Sequence, residues 1–194
     1  MTPADARARL DRRFEKGVVH DLAGETITGT LDLAGLDLGN IDLSGARIEG
    51  DVRARGTLFR GLAWLKGAAV AGDLDLAGAI FHGDLRLDGA RVEGQLAGAR
   101  AEFRGVCDLD GASLGALDLT RAVLFGNLSM RGTRVAAATR LREAELYGGL
   151  WCESARFQGP LDWRGLEVHG RTLMRATALP AGAGGFTSHG VVTA

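Results

Sequence analysis

Two cysteines, three prolines and 6% aromatics in 194 residues leave little room for several common ways of building a domain. A disulfide framework takes several bridges around a small core, so Cys107 and Cys152 read as two buried free thiols. No run approaches the ~18 consecutive apolar residues of a membrane span. The charged N-terminus lacks the apolar segment of a secretion signal, and the expectation is a cytoplasmic protein without membrane insertion. A surplus of either charge is missing too: 23 Lys and Arg stand against 24 Asp and Glu, for a net charge of −1. No global field therefore steers the chain to nucleic acid or to an anionic membrane, and direct nucleic-acid binding is not expected. What is abundant is glycine, 30 residues, without collagen's three-residue period and without Pro-rich or Ser-rich disorder. With 46% hydrophobic residues to fill a core, this is the composition of a regular backbone that turns often.

The regularity is explicit in residues 73–94, DLDLAGAIFHG followed by DLRLDGARVEG, which share the eleven-position template x-h-x-h-x-G-A-x-h-x-G, h being apolar. Fourteen such units run from Val19 to Gly170, and those starting at Thr30 and Val106 lack the tenth position. Self-similarity at a short fixed period marks a stacked-coil protein. Apolar alternation occurs only in short pairs, positions 2 and 4 then 7 and 9, with glycines at 6 and 11 where the backbone turns. Phe59, Phe81 and Phe103 recur at position 9 every 22 residues, with Ile48, Val70, Val92 and Leu114 as their own series between them. Two units therefore make one coil, and like side chains stack. Outward position 3 of alternate units reads Asp32, Arg53, Asp75, Ala97, Asp118, Arg140 and Asp162, opposite charges alternating at the ~4.8 Å strand spacing. About seven coils at that rise make a rod ~34 Å long.

Residues 1–18 are expected to form a helical cap, 19–179 the repeat and 180–194 a flexible Gly-rich tail. Over residues 2–16, Thr2 is an N-cap, Pro3 fits the first helical position, and Ala6, Leu10 and Phe14 share one face that covers the first coil. The basic residues Arg7, Arg9, Arg12, Arg13 and Lys16 suggest a membrane-surface helix as the alternative, although Asp5, Asp11 and Glu15 interrupt them. The tail has its own alternative, folding back over the last coil to cover Trp163 and Met174.

The pairs Ala79-x-Phe81, Ala90-x-Val92, Ala112-x-Leu114 and Ala155-x-Phe157 resemble those of pentapeptide-repeat proteins, a small residue two places before a central Leu or Phe. The resemblance covers residues 19–170 and implies an all-β, right-handed, four-sided β-helix. The chain departs from the pattern in alternating five-residue and six-residue spacings, in Leu at most second positions and in Gly98 at an apolar one. Some members of the family mimic B-DNA and bind DNA gyrase, an alternative function that needs a long acidic surface. Proteins with this eleven-residue pattern are also sometimes labelled membrane-associated oxidoreductases, the second alternative.

Chemistry is sparse. His20 lies in the first coil, His82 and His169 occupy equivalent positions four coils apart, about 19 Å, and His189 is in the tail. No two of them share a metal or a proton unless the tail comes round. There is no Ser-His-Asp constellation, no dinucleotide fingerprint and no phosphate-loop lysine, so no catalytic, cofactor or metal residue is expected. The sides of the rod do differ. One set of outward positions 8 and 10 carries Arg47, Glu49, Arg91, Glu93, Arg134 and Arg156, a face made for water. The other carries Leu58, Ile80, Val123, Phe125 and Tyr147, with Arg60 and His82 beside them. An outward apolar stripe of this kind marks a contact surface. The expected function is a non-catalytic interaction or scaffold solenoid, meeting a protein partner or a second copy of itself as a homodimer.

Overall fold

A computed structural model describes residues 1–12, 14–181 and 185–193. Arg13 of the expected helix, and 182–184 and 194 of the expected tail, lie outside the described residues. The chain forms a β-solenoid in which every strand pairing is parallel, in sheets of nine, twelve and eight strands. The twelve-stranded sheet contains two ladders, joined where Arg91–Ala97 and Ser113–Asp118 run on around a corner. That makes four faces. We number them as the chain meets them in one coil: Ile41 and Asp42 on the first, Arg47–Ile48 on the second, Val52–Arg53 on the third and Leu58–Phe59 on the fourth.

The template explains each part of the coil. Positions 2, 4, 7 and 9 point inward, as Ile41, Leu43, Ala46 and Ile48 do in one unit, each at most 1% exposed. Residues 22 or 21 apart stack directly, so Phe59, Phe81 and Phe103 form a ladder with ring centroids 4.4 and 5.0 Å apart and nearly parallel planes. The interior gap bounded by Leu33, Ile41, Phe59 and Phe81 measures about 10 Å³, at the lower limit for one water. Cys107 and Cys152 point into this core, 2% and 0% exposed.

The two template glycines do different jobs. At position 6 the backbone turns through the left-handed region, as at Gly78 (φ +66°), where a Cβ would meet open space. Arg100, Arg121, Glu143, Ser154 and Ala176 take the same conformation with φ of 56–58°, at a cost of about 1–2 kcal/mol each. At position 11 the constraint is contact: a Cβ on Gly83 would lie 2.6 Å from the Gly61 carbonyl oxygen one coil below.

Position 1 has a role that the template alone did not disclose. Side-chain Oδ1 atoms of Asn40, Asp51, Asp73, Asp84 and Asn127 each accept the backbone N–H of the residue at the same corner one coil later, at 2.7–3.1 Å. The position-3 column keeps the expected register, Asp32 beside Arg53 beside Asp75, but its members do not pair with each other. Asp32, Asp75, Asp118 and Asp162 each accept the N–H two residues on, at 2.9–3.2 Å, which bends the carboxylate into the turn. Arg53 meets Asp51, Arg55 meets Asp75, and Arg164 meets Asp162 instead.

The two ends of the solenoid are built by different means. Helix α1 spans Pro3–Leu10, with Thr2 as N-cap and Ala6 and Leu10 fully buried. It is shorter than the expected 2–16: eight residues, ~12 Å, bridge from the third face to the first. The basic side chains that suggested a membrane surface work in the cap. Arg7 donates to the Asp32 carbonyl oxygen at 2.7 Å and Arg9 to that of Asp21 at 2.6 Å, closing the exposed edge of the first coil. Phe14 is 43% exposed rather than laid on the coil end, beside Gly39.

At the other end, the described part of the expected flexible tail is built into the solenoid. Thr187–Ser188 pairs with Glu167–Val168 on the fourth face, and Val192–Thr193 with Thr172–Leu173 on the first. The fourth face thus holds eight strands, one coil more than the seven expected. Phe186 packs on Trp163 at 5.0 Å between ring centroids, and Trp163 is 3% exposed. Few apolar residues announce this coil because backbone hydrogen bonds hold much of it, from Thr187 to Leu166 and from Thr172 to Val191.

Candidate functional site: the fourth face

The fourth face is built from positions 8 to 10 of alternate units, with position 9 inside and positions 8 and 10 outside. Its first outward column runs in register through Asp37, Leu58, Ile80, Glu102, Val123, Glu145, Glu167 and Thr187. The second runs through Arg60, His82, Arg104, Phe125, Tyr147, His169 and His189, whose backbone N–H groups each bond one coil back.

All seven residues expected to form a contact stripe therefore share this face, in two groups. Leu58 and Ile80 are adjacent and half-buried, beside the exposed Arg60 and His82. Arg60 forms a two-pronged pair with Asp37, both contacts 2.6 Å; this bond, ahead of the attraction of opposite charges, holds the Asp37 carboxyl below its ordinary value. One rung further, Arg104 and Glu102 pair at 2.6 Å and interrupt the apolar column. Beyond them Val123, Phe125 and Tyr147 form the second group, with Phe125 50% and Tyr147 46% exposed.

This second group continues into residues that the stripe did not include. Phe125, Tyr147, His169 and His189 form one outward stack of four rings, with centroids 5.2, 5.1 and 4.8 Å apart and planes within 10° of parallel. The expectation that no two histidines meet is thus corrected. Its own condition is fulfilled, because the last coil carries His189 over His169. A trace of this is present in the sequence: His-Gly occurs at positions 10 and 11 in His82-Gly83 and His169-Gly170, and recurs as His189-Gly190. Gly190 approaches the Gly170 carbonyl too closely for a Cβ, as position 11 requires.

Glu145 and Glu167 stand in register beside the rings. A hydrogen bond to Glu145, ahead of burial, raises the Tyr147 phenol above its ordinary value. Nε2 of His169 lies 3.6 Å from Glu145 Oε1 and 3.9 Å from Glu167 Oε2. These separations are too long for hydrogen bonds, and that nitrogen is shielded from solvent without a partner among the described residues.

A family model described as pentapeptide repeats (9 copies) matches residues 43–91. These are pentapeptide repeats. Within the match the small buried residue at each corner is Ala46, Thr57, Ala68, Ala79 and Ala90, and the same coil geometry continues on both sides of it. No curated protein matches the chain.

Burial pushes the thiols of Cys107 and Cys152 up to about 12, so neither supplies a thiolate at neutral pH. Trp64 and Trp151 lie in one outward column of the first face, four strands apart. Trp151 is covered by the Arg131 guanidinium at 4.3 Å, a packing contact between neighbours. No helix among the described residues is long and apolar enough to cross a membrane.

Proposed function

We propose that this pentapeptide-repeat solenoid is a non-catalytic interaction scaffold whose docking surface is the fourth face. The observation that carries the reading is the exposure of Phe125 and Tyr147, at 50% and 46%, in a continuous ring stack on one side of the rod. Aromatic side chains dominate the centres of protein interfaces because they bury much area at low entropic cost. Glu145 and Glu167 edge the rings, so the complementary surface presents apolar groups flanked by cationic ones. Leu58 and Ile80, beside Arg60, have that character within this same chain. An antiparallel pair of chains brings the two halves together, which makes a second copy the occupant to test first. A face ~34 Å long and ~12 Å wide offers roughly 400 Å² per partner, below a standard interface, so the pair is weak and concentration-dependent.

Two other readings have less support. DNA mimicry needs a continuous acidic face, whereas ion pairs of both signs occur on all four faces, as at Arg86–Asp108, Arg47–Glu49, Arg53–Asp51 and Arg60–Asp37. An oxidoreductase needs a pocket for its cofactor, and the interior is filled with side chains. The experiment is sedimentation equilibrium of the wild type and of the Phe125→Ser/Tyr147→Ser double variant. The double variant is expected to stay folded and monomeric where the wild type associates. Equal association of the two would overturn the assignment to this face.

A further inference from the structure

We infer that the C-terminal end of the fourth face is a binding site for a late first-row divalent metal ion, zinc being the representative. Its ligands are Glu167, His169 and His189. The ligand atoms of these three side chains all lie within 4.8 Å of one another. His189 Nε2 is 3.7 Å and His169 Nε2 3.9 Å from the same oxygen, Glu167 Oε2. Glu145 Oε1, 3.6 Å from His169 Nε2, places a second carboxylate oxygen beside the three.

The donor set selects the ion. Two imidazoles and a carboxylate suit zinc, cobalt, nickel or copper, whereas magnesium and calcium prefer oxygen alone. Metal–ligand bonds of ~2.0–2.2 Å place donors ~3.3 Å apart in a tetrahedron, so the three atoms draw in by about an ångström or less on average, and the two imidazoles, within 10° of parallel in the stack, tilt toward one another so that both in-plane lone pairs reach the ion. His189 can make that movement. It is exposed and follows Thr187–Ser188, the end strand of the eight-stranded ladder among the described residues. His169 is held between Tyr147 and His189 in the ring stack, and its Nε2 is shielded and without a hydrogen-bond partner among the described residues. An ion would satisfy that nitrogen and relieve the repulsion between Glu145 and Glu167, carboxylates in register on adjacent strands. Ligation would also tie the last coil, which brings His189, to the repeat proper, which brings Glu167 and His169. A site closed only when the tail is folded back couples metal binding to the order of that coil.

The test uses the full chain free of any affinity tag and stripped with a chelator. Zinc is titrated calorimetrically, cobalt spectroscopically, and amide hydrogen exchange is followed over residues 185–193 with and without zinc. One equivalent of zinc should bind with micromolar affinity, cobalt should give the intense visible bands of a tetrahedral site, and exchange in the last coil should slow at least tenfold. His169→Ala and His189→Ala should each weaken binding tenfold or more, while His82→Ala, in the same column without a second histidine, should bind as the wild type does. Circular dichroism checks that each variant keeps the β-solenoid. Absence of zinc binding by the wild type would overturn the inference, as would equal binding by the folded His169→Ala/His189→Ala double variant.

Discussion

The second and fourth faces of this rod are built from the same template positions and have almost nothing outward in common. Inside, Ile48, Val70 and Val92 of the second face and Phe59, Phe81 and Phe103 of the fourth are all buried in matching ladders. Outside, the second face presents Arg47 with Glu49 and Arg91 with Glu93, pairs of 3.9 and 3.3 Å among well-exposed side chains. Such pairs contribute well under about 1 kcal/mol each. The fourth face presents four stacked rings and two carboxylates in register. A repeat of this kind constrains what points inward through stacking and leaves the outward positions free to diverge. A departure from watery composition on one face is therefore informative about what that face meets.

If interior and exterior are independent in this way, they should fail separately. Phe81→Ala removes the middle of the phenylalanine ladder and should cost about 3–5 kcal/mol, read by denaturant unfolding. The outward Phe125→Ser should change stability by less than about 1 kcal/mol while lowering the association described above. The glycines give a finer version of the comparison. Gly83→Ala drives a methyl group into the backbone of the coil below, with 2.6 Å to the Gly61 carbonyl oxygen, so strands must separate. Gly78→Ala meets no atom and bears only the left-handed strain, about 1–2 kcal/mol. Thermal unfolding of the pair should rank Gly83→Ala as the more damaging.

The smallest effect concerns acid. A hydrogen bond from Arg164, partly offset by burial, takes the Asp162 carboxyl from its ordinary value of 3.8 to about 2, and Arg60 lowers Asp37 in the same way. Depressed carboxyls contribute stability that is fully present above their unfolded values, near 4, and that is lost as pH falls through the folded ones. Melting temperature should therefore drop between about pH 4 and pH 2. Asp162→Asn should be less stable at neutral pH and should flatten part of that drop. Asp37 is exposed and Asp162 partly so, and solvent screening keeps the change modest.

How much of this was legible beforehand follows from which groups make each contact. Side-chain periodicity disclosed the two-unit coil, the phenylalanine ladder and the inward cysteines, because stacking fixes those residue types every 22 positions. That Leu58, Ile80, Val123, Phe125 and Tyr147 share one face was legible from the period, which puts outward positions 8 and 10 of alternate units on the same side of the rod. The eighth coil was not, since Thr187 and Val192 join the sheets largely through backbone bonds that leave little mark on composition. The histidine stack was hidden with it, apart from the repeated His-Gly pair. The position-3 charges were legible as a column but not in their partners, because each aspartate bends into the turn beside it and meets an arginine outside the column, as Asp75 meets Arg55 and Asp162 meets Arg164.

The central claim, that the fourth face is where this scaffold meets protein, is tested most directly by the solution mass of the wild type measured by light scattering from micromolar to millimolar chain. The account predicts a mass rising from the 20.3 kDa monomer toward twice that value, with the Phe125→Ser/Tyr147→Ser variant remaining at the monomer mass throughout. A wild type that stays monomeric to the highest concentration, or a variant that associates equally well, would contradict it.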